Sequence, residues 1–270
     1  MFSLPILIGM YDYSLVEQSF QLKQQGFTDK AIAERLKVSI RSVRHWRYGT
    51  RQRLPPAQRT HRHNEERYPP CARCSGSDLP GQPYAYLLGL YLGDGHIIDK
   101  RSQHTLGISC SDRWPGLMDE CEAAMRAVMP HNKVWRRKRT GMHDVMSSSI
   151  HWTCLFPQHG PGRKHERAIV FEPWQQEIVD EFPQEFIRGL IHSDGCRVLN
   201  CAVGKRDGKT TRCFYSRYHF TNESSHIRDL FTDTLDKLGI EWRYNNPKKN
   251  ISIAKRASVK ALDSFVGPKY

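Results

Sequence analysis

Three features are scarce in this chain, and each scarcity narrows the reading. No apolar run approaches the roughly 20 residues of a membrane span. Acidic residues are outnumbered, 28 Asp and Glu against 41 Lys and Arg, which leaves a net charge of +13 and a pI near 9.5. That balance favours a polyanionic partner, and without a membrane span nucleic acid is preferred to a lipid surface. Paired cysteines are also few: of eight Cys, only Cys71 and Cys74 form a CxxC. The others scatter through apolar or strand-like segments, as reduced thiols of a cytoplasmic protein do, here with nucleoid association in a bacterial or phage-like setting. Phe2 to Met10 is apolar but lacks a basic start and a cleavage pattern, so it does not read as a signal peptide.

What the chain does have is one pattern used twice. Leu87-Leu88-Gly89-Leu90-Tyr91-Leu92-Gly93-Asp94-Gly95 and Ile187-Arg188-Gly189-Leu190-Ile191-His192-Ser193-Asp194-Gly195 share the pattern apolar, any, Gly, Leu, apolar, any, small, Asp, Gly, with numbers differing by 100. Read as helices, each places small residues four apart on one face, Gly89 and Gly93 in one, Gly189 and Ser193 in the other, so two helices can approach closely there. Asp94 and Asp194 then fall in the last turns, and the glycine after each can close its helix in the left-handed conformation. A carboxylate at a helix C-terminus sits against the negative end of the dipole. Two such carboxylates side by side call for a metal, a shared proton or a basic neighbour, and oxygen ligands suit Mg2+.

Both segments resemble the LAGLIDADG motif of homing endonucleases. The final Asp of the motif, which carries the metal in that family, is present twice, whereas the first Asp is replaced by Leu92 and His192. The resemblance covers Tyr84 to Tyr270 and implies an α+β fold: two pseudo-symmetric αββαββα half-domains, residues 84–182 and 183–270, forming a saddle over DNA. It implies a site-specific, Mg2+- or Mn2+-dependent double-stranded DNA endonuclease with an extended recognition site, working as a monomer with an intramolecular pseudo-twofold. The Gly93 and Ser193 carbonyls are further metal-ligand candidates. Lys164, in the block Gly160 to Arg167, resembles the lysine between the motifs of the family. Lys255 occupies the corresponding neighbourhood of the second half, with Lys249 and Arg256 as rivals. Non-cleaving transcription regulators and RNA-splicing maturases share the fold and remain alternative readings.

The order of elements follows the hydrophobic pattern. After Asp94, strands are expected at 96–98 and 105–110, a helix at 114–129, and strands at 133–138 and 149–156. The second half repeats this with a helix at 184–194, strands at 197–203 and 216–222, a helix at 224–238, strands at 240–244 and 250–254, and a closing helix at 258–266. Basic and polar residues in the strands, namely Arg136, Arg137, Lys138, Lys205, Lys209, Arg217 and His219, fit a sheet that faces DNA.

The amino-terminal part reads as a separate all-α domain, residues 14–50, with helices at 14–25, 29–36 and 40–48. The pattern resembles a helix-turn-helix in which Val38, Val43 and Trp46 fill the core and Arg41, Ser42, Arg44, His45 and Arg47 face outward to DNA. Residues 51–83 read as a basic, Pro-rich extended linker. Cys71 and Cys74 within it have the spacing of half a structural Zn2+ site, with His61 and His63 the nearest candidates for the other half; a plain exposed turn or a redox-sensitive dithiol is the alternative.

Overall fold

The computed structural model describes residues 13–48, 70–100, 103–206, 209–245 and 249–270. They belong to two units that divide between Pro69 and Pro70. No helix among the described residues is long and apolar enough to cross a membrane. His61, His63 and most of the expected linker lie outside the described residues.

In the first unit α1 (Tyr13–Gln24), α2 (Asp29–Arg35) and α3 (Ile40–Tyr48) close around Val16, Ile32, Ala33, Val43 and Trp46. Thr28 starts α2 by accepting from the Ala31 N–H at 3.3 Å, and Ser39 starts α3 by accepting from the Ser42 N–H at 3.0 Å. Short hydroxyl side chains satisfy otherwise unpaired donors at this position. Lys37, at a φ of 54°, turns the chain between the two helices.

The second unit opens with a single turn, α4 (Ala72–Ser75), and the first motif helix, α5 (Gly81–Asp94). There follow β1 (Gly95–Lys100), β2 (Gln103–Ser111), α6 (Pro115–Val128), β3 (Val134–Arg139), β4 (Met142–Ser149) and a short α7 (Trp152–Leu155). Helix α8 (Pro173–Glu181) leads into the second motif helix, α9 (Pro183–Asp194). Then come β5 (Gly195–Arg206), β6 (Lys209–Thr221), α10 (Ser225–Lys237), β7 (Arg243–Asn245), β8 (Asn250–Ile253) and α11 (Arg256–Asp263). The two antiparallel sheets have the orders β1-β2-β4-β3 and β5-β6-β8-β7, one topology built twice. Helix α5 is buried from Tyr84 to Leu92, as befits a helix apolar on every side and packed all round.

Several expected elements differ. The strand expected at 149–156 is instead β4 at 142–149, because Thr140-Gly141 makes a two-residue hairpin, with Gly141 left-handed at φ 72° and Arg139 opposite Met142. Trp152, Leu155 and Phe156 are fully buried from the helical turn beyond it. The end of the linker is not extended either: Cys71 to Gly76 forms a helical turn, and Gly81 to Pro83 already belong to α5. Strands β5 and β6 pair from Gly195–Phe220 out to Arg206–Lys209, while β8 covers only Tyr218 to Thr221, so the hairpin runs on as a two-stranded ribbon.

Candidate active site and basic faces

Helices α5 and α9 cross in backbone contact, and their glycines permit it. A Cβ on Gly89 would lie 2.5 Å from the Phe186 carbonyl oxygen and 2.9 Å from the Gly189 Cα; one on Gly189 would lie 2.2 Å from the Tyr86 carbonyl oxygen. One turn on, a Cβ on Gly93 would strike the Ser193 side chain and come within 3.2 Å of Asp194 Oδ2. The crossing therefore brings the two helix C-termini, and their carboxylates, together. Gly95 and Gly195 do not close the helices in the left-handed conformation expected of them. Both are extended, with φ of −86° and −104°. A Cβ at either would collide with the helix behind it, at Tyr91 and Ile191.

Asp94 keeps one side open to solvent yet is otherwise enclosed by protein. Burial, then the Asp194 charge, push its carboxyl up to about 6, against the pull of Lys164 and Lys269. Burial also raises Asp194, opposed by the Asn222 amide, which donates to Oδ2 at 2.5 Å. A small cleft beside Asp94 is lined by Leu90, Trp114, His192, Ser193 and Lys269.

Each motif helix ends on a lysine. Lys164 donates to the carbonyls of Tyr91, of Leu92 at 3.0 Å and of Gly93 at 2.9 Å. Lys269 reaches the carbonyl of Gly195 at 2.6 Å and that of Ser193 at 3.5 Å. Cations here satisfy orphan carbonyls and oppose the dipole. Burial lowers Lys164 to about 8 and also lowers Lys269, against the pull of both aspartates. The Gly93 carbonyl thus accepts from Lys164, and the Ser193 carbonyl lies 3.5 Å from Lys269 Nζ.

Lys255 is not the counterpart of Lys164. It lies at the start of α11, exposed, and pairs with Glu241. Lys269 fills that place, and a second repeat marks it: Gly162-Arg163-Lys164 and Gly267-Pro268-Lys269 share Gly-x-Lys, with both glycines left-handed at φ 77° and 71°. Asn222 carried no repeat or motif in the sequence.

Register sorts the basic residues by face. In β3, Arg136 lies opposite Val145, beside buried Val134, and pairs with Asp119 and Glu122 of α6. It therefore lies on the helix side of the sheet, and Lys138 shares its side of the strand, since alternate residues face opposite ways. Arg137 and Arg139 stand on the helix-free face around Asp144. Asp144 is hidden from solvent beneath them; burial opposes its charge, but hydrogen bonds from Arg137, at 2.6 Å, and Ser109, at 2.8 Å, hold it below the ordinary range. In β6, Tyr218 and Phe220 are buried toward the helices, which leaves Arg217 and His219 on the opposite, helix-free face. Lys205 and Lys209 lie near the ribbon's tip, opposite Thr210 and Arg206. In the first unit Arg41, Arg44 and His45 are exposed, Arg44 lies 3.9 Å from Asp29, and Ser42 contributes to the α3 cap. The side chain of Arg47 lies outside the described residues.

No family model matches this sequence, and no curated protein does. Among solved structures, I-DmoI in complex with DNA and Mn is similar over 70% of this chain and 99% of its own, at 14% identity and a TM-score of 0.46. The homing endonuclease I-WcaI bound to its DNA recognition sequence is similar over 80% of this chain and 91% of its own, at 13% identity and a TM-score of 0.44. In its repeated motifs and in the doubled topology around them, the chain is similar to the LAGLIDADG homing endonucleases.

Proposed function

We propose that this chain is a divalent-metal-dependent endonuclease that hydrolyses both strands of an extended DNA site as a monomer, its two halves standing in for two subunits. The observation that carries the reading is the pairing of Asp94 and Asp194 at the ends of two crossing helices, each helix held by a lysine. Two hard oxygen donors fit Mg2+ or Mn2+, and the burial that raises both carboxyls, joined at Asp94 by the Asp194 charge, is what a cation offsets. When bound, such an ion supplies Lewis-acid charge at a phosphate and a more acidic water.

The chain's own residues do the rest. Asp94 and Asp194 present negative charge toward one point from both halves. Lys164 and Lys269, anchored on helix carbonyls, place fixed positive charge where phosphate oxygens gain charge. Arg137, Arg139, Arg217 and His219 on the helix-free faces serve phosphate binding. The amino-terminal unit adds contacts through Arg41, Arg44 and His45 in the manner of a helix-turn-helix. On this reading the protein works in the cytoplasm, on the nucleoid.

The test is incubation of the full chain with a pool of genomic duplexes and Mg2+, followed by sequencing of bound and cut molecules. Wild type cuts a defined site, and Asp94→Asn/Asp194→Asn binds it without cutting. Lys164→Met and Lys269→Met each slow cutting about 100-fold with binding retained, while Lys255→Met cuts normally. Specific binding with no Asp-dependent cutting would identify a regulator instead, and preference for structured RNA a maturase.

A further inference from the structure

Cys71 and Cys74 supply half of a tetrahedral metal site, and the fold brings the other half to them from 80 residues away in the chain. His151 and Cys154 stand on the turn after β4, and one ligand atom from each of the four residues lies within 4.8 Å of every other. Cys74 Sγ is 3.8 Å from Cys154 Sγ and 3.3 Å from His151 Nδ1, and Cys154 Sγ is 3.9 Å from the same nitrogen. A tetrahedron with metal–sulfur bonds of about 2.3 Å and a metal–nitrogen bond of about 2.0 Å has sulfur–sulfur edges of about 3.8 Å and sulfur–nitrogen edges of about 3.5 Å. A disulfide needs sulfurs about 2.05 Å apart, and these cysteines are free.

The local backbone has the shape such a site requires. The Cys71 carbonyl accepts from the N–H groups of Cys74 and Ser75, both at 2.9 Å, and Gly76 turns left-handed at φ 71°. This is a tight knuckle that presents two sulfurs to one side. Cys154 sits on a second such turn, its N–H donating to the His151 carbonyl at 3.0 Å. Trp152, Leu155 and Phe156 of the same turn are fully buried.

We propose that Cys71, Cys74, His151 and Cys154 bind one structural Zn2+. All four positions are filled by protein, which leaves none for a substrate or a reactive water. The ion would fasten the chain just before α5 to the turn that follows β4. Its neighbourhood already meets the motif helix: Tyr84 on α5 donates to the Leu155 carbonyl at 2.6 Å. Zinc here therefore holds the entry of the first motif helix against its own half-domain, independently of whether the chain cuts DNA.

The full-length chain, purified under reducing conditions with zinc supplied, is expected to carry about one zinc by elemental analysis. Cys74→Ser and His151→Ala each lower that content about tenfold or more, while Cys213→Ser, in the exposed ribbon, leaves it unchanged. Cobalt added to chelator-stripped wild type is expected to give the intense visible bands of tetrahedral thiolate ligation, a readout that needs no variant to fold. Cobalt held by carboxylates, such as Asp94 and Asp194, gives only weak bands. Wild type with less than about 0.1 zinc per chain, weak cobalt bands alone, or recovery of a Cys74–Cys154 disulfide from native protein would overturn the proposal.

Discussion

His192 occupies the place of the motif's first acid, and its surroundings explain how a histidine is tolerated there. Its Nε2–H donates to the Val266 carbonyl at 2.9 Å, while Nδ1 lies 2.9 Å from the Tyr86 hydroxyl, which donates to the Glu120 carboxylate at 3.0 Å. Glu120, Arg188 and Lys269 are the charges facing it. Burial foremost, then Arg188, lower its pKa from 6.5 to about 4, against Glu120. Between those values the unfolded chain binds a proton that the folded chain refuses. Stability contributed by His192 is thus full above pH 6.5 and falls as pH drops toward 4, by up to about 3 kcal/mol. Asp94, raised to about 6, acts in the opposite sense: its folded form gains protons first. Urea melts of wild type and His192→Gln between pH 4 and 7 separate the two, and the variant is expected to lose less stability on acidification. Parallel pH profiles would refute the assignment.

At the scale of elements, the α5–α9 crossing is a backbone-to-backbone contact with no slack. Its Gly89-to-Phe186 approach leaves no room for a methyl group, and both sides of the clash are helix backbone, which cannot rotate away as a side chain can. Gly89→Ala is expected to cost about 3 kcal/mol by denaturant melts and to impair cutting with it. Gly160→Ala, where a Cβ meets nothing nearer than 3.6 Å, is expected to change stability by less than about 0.5 kcal/mol. Equal effects would mean that the crossing yields. The motif spacing made this helix pair readable in advance, because a four-residue repeat of small residues has direct packing meaning. The β3–β4 hairpin escaped that reading, since Thr140-Gly141 lies between basic and polar residues whose alternation is faint.

For the whole molecule, the excess of positive charge is distributed by strand pleat rather than by sequence neighbourhood. Arg136 and Arg137 are adjacent, yet one binds Asp119 and Glu122 on the helix side and the other stands with Asp144 on the open face. If the open faces bind DNA, Arg137→Ala and Arg217→Ala each reduce the slope of log affinity against log salt by about 0.9, whereas Arg136→Ala leaves the slope unchanged and lowers stability. Equal slopes for all three would place DNA elsewhere.

The sequence alone determined the two motif helices, the two acids at their ends and the repeated order of elements, because each is written in local spacing that backbone geometry reads directly. Tertiary structure decided three things that local spacing does not carry. It showed that Lys269 rather than Lys255 ends the second motif helix, since a tail lysine reaches a distant helix only through folding. It sorted Arg136 from Arg137, since a face is defined only once register is set. It brought His151 and Cys154 to Cys71 and Cys74, since ligands far apart in the chain meet only when the turn after β4 packs beneath the start of the motif helix.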